Sequence, residues 1–282
     1  MPNAEDTQKA MAEALAHHRA GKHELAMQRY VAILADDPEN TEALYYVAVL
    51  ALQEGQIDEG QRVVERALKV GTPSARLYNL KGQAHLRKNE DDAALAAFTS
   101  AIETDAAYVD AYGNRATLLA EMGRLPDALA DYDQALKLRP GNPEDIGNRA
   151  GVLADLGRFD DALAGFDQVI RINPKYAPAY FNRGNVLLRM ARVREALADF
   201  DDAIRIHAGM PAVHSSRALA LAAVGRFEEA LTATERALEI DPNFANAHAA
   251  RGYVLQAMNR SDEAKASLAR AAELNPAFAP KS

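Results

Sequence analysis

The stretch VDAYGNRATLLAEMGRLPDALADYDQALKLRPGN, residues 109–142, decides the fold. Its first half carries apolar side chains at the spacing of one face of an α-helix: Tyr112, Ala116, Leu119 and Met122. Gly123 suits the end of that helix, because glycine adopts a left-handed backbone at little cost. Pro126 suits the first turn of a second helix, and Pro140 suits the point just beyond its end. The stretch therefore predicts two antiparallel helices joined by a tight turn.

The same plan recurs along the chain with a period equal to the length of that stretch, in three columns of small or aliphatic side chains. The first column is Ala26, Gly60, Ala94, Ala128, Ala162, Ala196, Ala230 and Ala264. The second is Ala14, Ala48, Gly82, Ala116, Ala150, Gly184, Ala218 and Gly252. The third is Ile33, Ala67, Ala101, Ala135, Val169, Ala203, Ala237 and Ala271. Small side chains let helices approach closely where they cross, so the columns predict repeated helix pairs.

The register predicts eight repeats without insertion or deletion. Their ranges are 7–40, 41–74, 75–108, 109–142, 143–176, 177–210, 211–244 and 245–278, with tails at 1–6 and 279–282. The polar substitutions in the first and last repeats, such as Lys9 and Lys265, are typical of capping repeats. We therefore expect a self-contained protein.

These columns, with glycine at the turn and proline at the close, resemble the tetratricopeptide-repeat family. The resemblance covers nearly the whole chain. It implies an all-α fold, a right-handed α-solenoid superhelix whose first helices line a concave groove. It also implies that partners lie in the groove as extended peptides or single helices.

Composition narrows the class of partner and the compartment. The chain has no cysteine and a net charge of −8, without a run of lysine or arginine. These features disfavour disulfides and nucleic-acid binding. No apolar stretch approaches the roughly 20 residues that span a bilayer, so we expect no membrane insertion and a cytoplasmic location. Heavy use of alanine and arginine favours a bacterial source.

The sequence offers no motif for chemistry. It has no glycine-rich phosphate loop, nucleophile elbow or metal-ligand spacing, so we predict no catalytic residue, no cofactor and no metal. His17, His18 and His23 are interpreted as surface or cap residues. His85, His214 and His248 fall in core columns, where we expect hydrogen-bonded, partly buried imidazoles.

A column of arginines predicts ion pairs between helices. Its members are Arg115, Arg149, Arg183, Arg217 and Arg251. Four of the five are followed, at one constant spacing, by an acid in the second helix of the same repeat: Asp133, Asp167, Asp201 and Glu235. Because the two helices of a repeat are antiparallel, we expect each arginine to meet the acid of its own repeat.

One residue before the arginines, asparagines repeat at Asn114, Asn148 and Asn182, with Ser216 in the next place. An asparagine side chain both donates and accepts, so it can pair with a peptide backbone. The pattern resembles the asparagine ladder in the tetratricopeptide arm of O-linked N-acetylglucosamine transferase. The alternative is that these side chains bond only to neighbouring helices or water.

Glycines inside first helices point to the same place. Gly113, Gly147 and Gly151 lie outside the small columns, and each costs roughly 1 kcal/mol against alanine in a helix. A groove floor cleared for a ligand backbone explains them, and tolerated drift is the alternative.

The remaining candidates are charged, polar or aromatic residues around that floor. Asp110, Glu121, Glu144 and Asp155 predict an acidic centre that favours a segment with lysine or arginine. On one flank we expect Phe181, Asn185 and Arg189, and on the other Arg76, Asn79, Gln83 and Arg87. Of all these, the predicted peptide contacts are Asn79, Asp155, Phe181, Asn185 and Arg189, together with the asparagines, Ser216 and the three glycines.

The function predicted from the sequence is a protein–protein interaction scaffold that binds an extended peptide segment in its groove. We expect a monomer or weak homo-oligomer and no enzymatic activity. Two alternatives stay open: a targeting arm for a glycosyltransferase or other separate enzyme, and a self-associating structural module. In the latter, residues 277–282 with Phe278 are the segment that a second copy would accept.

Overall fold

The computed structural model describes residues 4–279, and in this part of the chain all regular structure is helical. In the first half the helices are α1 Ala4–Arg19, α2 His23–Asp36, α3 Thr41–Gln53, α4 Ile57–Val70, α5 Ala75–Leu86, α6 Asp91–Thr104, α7 Val109–Glu121 and α8 Leu125–Leu138. In the second half they are α9 Pro143–Asp155, α10 Phe159–Ile172, α11 Ala177–Arg189, α12 Val193–Ile206, α13 Pro211–Ala223, α14 Phe227–Ile240, α15 Ala245–Ala257 and α16 Ser261–Leu274. A single 3₁₀ turn, Pro276–Phe278, follows α16. None of these helices is both long enough and apolar enough to cross a bilayer.

The helices form consecutive antiparallel pairs in two compact units, α1–α8 up to Pro140 and α9–α16 from Gly141. Within each unit every odd-numbered helix packs against the helix that follows it, and each pair packs on the next pair. We call the odd-numbered member of a pair its first helix and the even-numbered member its second helix.

Helix α1 begins at Ala4, so residues 4–6 of the predicted N-terminal tail belong to this helix. Glu5 and Asp6 lie in its first turn, where acidic side chains favour the positive end of the helix dipole. The predicted C-terminal tail at 279–282 has only Ala279 among the described residues.

The three small columns form the core, as predicted. Members such as Ala128, Ala162 and Ala196 are fully buried. About one turn further along the same second helices lies a column of large buried side chains: Tyr30, Phe98, Tyr132, Phe166 and Phe200.

Small residues in the second column are required by these rings. A Cβ added at Gly184 would stand 2.7 Å from Phe200, and one added at Gly82 would stand 2.4 Å from Phe98. Each aromatic ring therefore packs directly against a first-helix backbone.

The turn inside each pair needs one left-handed residue. Glycine supplies it in five pairs, at φ between +68° and +78°: Gly21, Gly55, Gly123, Gly157 and Gly225. Asn89, Ala191 and Asn259 take the same conformation in three others. These turns agree with the glycines that the sequence predicts to end the first helices.

The predicted partners of Arg115, Arg183 and Arg217 are wrong, because each of these three arginines bonds to a different acid from the one expected. Arg115 binds Asp131 of its own repeat, and not Asp133, with two hydrogen bonds at 2.7 and 2.8 Å. Arg217 instead binds Asp201 of the preceding repeat at 2.7 Å. The expected acid is displaced by about half a helical turn along the second helix. It therefore faces the next repeat and not the arginine of its own repeat.

Arg183 uses both kinds of partner at once. It holds Asp199 of α12 through two bonds at 2.6 and 2.8 Å, and Asp167 of α10 through one bond at 2.5 Å. Hydrogen bonding to Asp199 is the main cause that raises the pKa of Arg183. One side chain therefore ties together three helices of two neighbouring repeats.

Candidate functional site

The predicted contacts of the first unit lie on α5 and α7. The Asn114 side-chain amide donates a hydrogen bond of 2.9 Å to the Asn79 side-chain oxygen. Asn79 is only 6% exposed, and its predicted contact with a peptide stays a prediction. Its role is to hold Asn114, which is half-buried and keeps its own side-chain oxygen as an acceptor.

A second group of residues on this surface includes Arg76, which the sequence analysis placed only on the flank of the predicted groove. The Arg76 guanidinium lies 4.6 Å from the centre of the Tyr45 ring, within the range of a cation–π contact. Burial is the main cause that raises the pKa of Tyr108 to about 12, and the charge of Asp110 adds to it. The Tyr108 hydroxyl therefore stays protonated at neutral pH. We call Tyr45, Arg76, Tyr108, Gly113 and Asn114 the first-unit face.

In the second unit, two of the three unexplained glycines have room around them. A Cβ added at Gly151 would meet nothing within 4 Å, and one at Gly147 would meet only a methyl group of Val169 at 3.8 Å. By contrast, Gly165 of the same repeat would bring a Cβ to 2.8 Å from Ala150. Packing requires glycine at 165 but not at 147 or 151.

The asparagines next to these glycines are accessible. Asn148 on α9 and Asn182 on α11 are exposed, and Asn185 and Ser216 are half-buried. Neither Asn148 nor Asn182 has a hydrogen-bonded partner among residues 141–279. Their amide groups are therefore available to a ligand.

Two of the four acids that were predicted to form an acidic centre pair with arginines. Asp155 on α9 forms an ion pair of 3.2 Å with Arg189 on α11, and Arg189 also lies over the Phe159 ring at 4.9 Å. In the first unit, Asp110 pairs with Arg139 at 2.9 Å. Both carboxylates carry a neighbouring arginine, so they do not present an unbalanced negative charge.

The second unit also has an uncharged depression of about 240 Å³, lined by residues of α11, α13, α15 and the 3₁₀ turn. Phe181, Leu219 and Tyr253 line it together with Phe278 of the 3₁₀ turn. Small residues line the rest: Ala212, Ser215, Ser216, Ala249 and Ala250, with Asn246 beside them. Tyr253 is 49% exposed and Leu219 is 38% exposed, which is high for such large apolar side chains.

The sequence predicted Phe181 and Ser216 here and missed Leu219 and Tyr253. Both occupy the place of Asn185 in the repeats that follow it, so extending that column would have found them. We call Gly147, Asn148, Gly151, Asn182, Asn185, Ser216, Leu219 and Tyr253 the second-unit face.

Other depressions are lined by the structural ion pairs. One contains Arg183 with Asp167 and Asp199, and its counterpart two repeats earlier contains Arg115 with Asp131. Their charged groups are bound to one another, so they have few free donors or acceptors. Within residues 4–279, no group of three histidines or acids has the arrangement of a metal site.

The core histidines are hydrogen-bonded, as predicted. His214 lies 3.0 Å from the Ala208 carbonyl oxygen and His248 lies 2.9 Å from that of Pro242. His85 lies 2.6 Å from the Glu90 carboxylate. Each of these three imidazoles has a structural partner.

The chain belongs to the tetratricopeptide-repeat family. Sequence models described as tetratricopeptide repeats match residues 17–84, 75–108, 109–142, 151–190, 177–207, 218–259 and 245–278. Together these matches cover most of the chain, which confirms the predicted family. Among curated proteins, no sequence matches significantly.

Solved structures agree on the fold. A tetratricopeptide-repeat protein from Parabacteroides merdae ATCC 43184 superposes with a TM-score of 0.67 at 15% identity, over 89% of this chain and 100% of the other. The APC/C hetero-tetramer Cut9–Hcn1 gives 0.70 at 16% identity, over 98% of this chain and 54% of the other. TTC0263, a thermophilic protein of Thermus thermophilus, gives 0.56 at 24% identity, over 60% of this chain and 92% of the other.

This family defines the broad function. Tetratricopeptide repeats serve as scaffolds for protein–protein interaction and are generally not catalytic. The particular partner and its binding mode have to be inferred from the surface residues of this chain.

Proposed function

We propose that this protein is a scaffold that binds an extended peptide segment of a partner protein across its first helices. The first-unit face and the second-unit face each contact such a segment. No nucleic acid is expected as a partner, because the net charge of −8 repels phosphates.

The observation that carries the proposal is that the α9 backbone is accessible at Gly151 and that the side-chain amides of Asn148 and Asn182 are exposed. Gly151 has no side chain at a position where packing leaves room for one. Asn148 is exposed on the same helix, and Asn182 is exposed on α11, the next first helix. A peptide backbone that approaches this surface can donate to and accept from each asparagine. Such contacts recognise the main chain of a segment, whatever its side chains are.

The uncharged depression supports side-chain recognition on the same unit. Leu219 and Tyr253 expose apolar surface, and burying an apolar side chain there is favourable at roughly 25 cal/mol per Å². The depression therefore suits one aliphatic or aromatic residue of the bound segment.

The test begins with a displayed library of random peptides selected on the immobilised full chain. The best peptide is then measured by fluorescence anisotropy with the wild type and with Asn148→Ala/Asn182→Ala. We expect Kd to rise about 5- to 30-fold, because each lost pair of hydrogen bonds contributes about 1 kcal/mol.

Gln168→Ala is the matched control, since it removes an exposed amide from the second helix α10. It should leave Kd unchanged. The proposal is wrong if no peptide is selected above background, or if the double variant and the control bind equally well.

A further inference from the structure

Arg76 of the first unit is a cation held in place without an anion. It lies in the first turn of α5, is half-buried, and its guanidinium rests on the Tyr45 ring of α3 at 4.6 Å. A cation–π contact of this kind restricts a long side chain that would otherwise be mobile. The guanidinium is therefore fixed before any ligand arrives.

Several other first-helix arginines already hold carboxylates. Arg115 binds Asp131 and Arg217 binds Asp201, both at 2.7 Å. Among residues 4–279, no carboxylate lies within ion-pair distance of Arg76. Asp110 acts electrostatically on Tyr45 and Tyr108, but its carboxylate is paired with Arg139.

The donors of Arg76 are accordingly free for a ligand. A guanidinium has five N–H donors in a planar fork that matches a carboxylate, and it accepts nothing. Partial burial weakens its hydration, so a carboxylate that binds it forms a charge-assisted hydrogen bond with less competition from water. The Tyr108 hydroxyl and the Asn114 amide lie on the same face, where both are hydrogen-bonded to the Asn79 side chain.

We propose that Arg76, stacked on Tyr45, binds the carboxylate of an aspartate or glutamate side chain in a peptide that lies on the first-unit face. This inference rests on the proposed function, because it names the chemistry of the segment bound there. It reverses the preference for lysine or arginine that the acidic residues of the sequence predicted.

The net charge of the protein makes the proposal easy to separate from general electrostatics. At −8, the field of the whole molecule disfavours acidic peptides. Any enrichment of acidic residues among bound peptides must come from a local site.

The experiment compares peptide selections on the full-length wild type, Arg76→Gln and Arg62→Gln. Arg62 is an exposed arginine of the second helix α4 that pairs with Glu59, so its variant makes the same change in charge away from the face. Peptides selected on the wild type and on Arg62→Gln should be enriched in aspartate or glutamate at one position. Those selected on Arg76→Gln should lose that enrichment.

The best acidic peptide and its counterpart with that acid changed to its amide are then measured by fluorescence anisotropy. The amide should weaken binding to the wild type about tenfold and leave binding to Arg76→Gln unchanged. Arg76→Lys keeps the charge but not the fork, so it should restore only part of the preference. Thermal melting checks that each variant is folded.

The results distinguish this inference from the proposed function. If peptides bind but show no acidic position, or if Arg76→Gln keeps the acidic preference, then the Arg76 site is wrong and peptide binding stands. If a phosphoserine peptide binds Arg76 more tightly than its glutamate counterpart, the carboxylate assignment is overturned. If no peptide binds any of the proteins, both proposals fail.

Discussion

At the scale of single residues, the same residue type serves opposite purposes within one repeat. Gly165 is required because Ala150 occupies the space where its Cβ would stand. Gly151 faces open space, so its missing side chain serves no contact inside the protein. The second kind of glycine is compatible with the proposed peptide contact, which the following variants test.

Gly151→Ala should raise stability and weaken peptide binding at the same time. Alanine gains roughly 1 kcal/mol over glycine in a helix interior, and the new methyl group meets no atom of the protein. The midpoint of urea unfolding measures the first effect, and anisotropy with the selected peptide measures the second.

Gly165→Ala is the matched control, and it should lower the same midpoint because its Cβ stands 2.8 Å from Ala150. Unchanged peptide affinity in Gly151→Ala would show that the bare backbone is tolerated drift, the alternative left open by the sequence.

His214 should make the second unit less stable in acid. Burial is the main cause that lowers its pKa from the usual 6.5, so the folded protein binds this proton less readily than the unfolded chain. The contribution of His214 is therefore fully present above pH 6.5 and is lost as the pH falls below it.

His214→Tyr should reduce the loss of melting temperature between about pH 7 and about pH 5. Tyrosine occupies the same place in three other repeats, and two of these residues, Tyr112 and Tyr180, donate to the carbonyl oxygens of Ala106 and Pro174. The variant can thus keep the hydrogen bond without the titration. An equal loss in both proteins would show that other groups, such as His18, cause the acid sensitivity.

At the scale of helices, the arginine column shows which contacts can be predicted from the sequence and which cannot. The repeat period determines which columns are small, and the structure places all three in the core. The same period cannot say which of two acid columns an arginine faces, because that depends on the rise and crossing of helices. The predicted pairing thus joined Arg115 to Asp133, whereas the structure joins it to Asp131.

The candidate site was harder to predict for the same reason. Asn114 and Asn79 are one residue out of register along their columns, yet the packing of α5 on α7 brings them to 2.9 Å. Likewise, Asp155 and Arg189 hold the same place in successive repeats, and only the spacing of α9 and α11 makes them a pair. Column analysis finds which residues share a face but does not find which side chains touch.

The two acids on Arg183 should differ in their contribution to stability. Asp199 has a side chain only 6% exposed, whereas that of Asp167 is 45% exposed. Asp199→Ala leaves a half-buried arginine without its main partner and should cost about 2–3 kcal/mol in the free energy of unfolding. Asp167→Ala should cost less than about 1 kcal/mol.

Urea unfolding of the two variants, followed by circular dichroism, measures this difference. Equal losses would mean that exposure to solvent does not control the strength of these pairs.

At the scale of the whole molecule, stability is built from local contacts. Each helix pair packs only on its neighbours in the chain, so no single core spans a unit. Among the described residues, α1 packs on α2, and α16 packs on α15 and on the short 3₁₀ turn. Opening them disrupts fewer contacts than opening a pair inside a unit.

Amide hydrogen exchange, followed by mass spectrometry, should therefore be fastest in α1 and α16 and slower in α5 and α13. The reason is that protection rises with the free energy of local opening. Uniform protection along the chain would contradict this and would indicate that each unit opens as one cooperative body.

The pairing of Arg183 with both Asp167 and Asp199 also has a consequence for how such a chain gains or loses repeats during evolution. Asp167 and Asp201 are one period apart and occupy the same place in successive repeats. If a deletion in the gene removed residues 177–210, Arg217 would follow Asp167 at the distance that now separates it from Asp201. The arginine would find an equivalent acid in whichever repeat came before it. Loss or duplication of a whole repeat therefore preserves the ion pair at this junction. An insertion or deletion of even one residue does not.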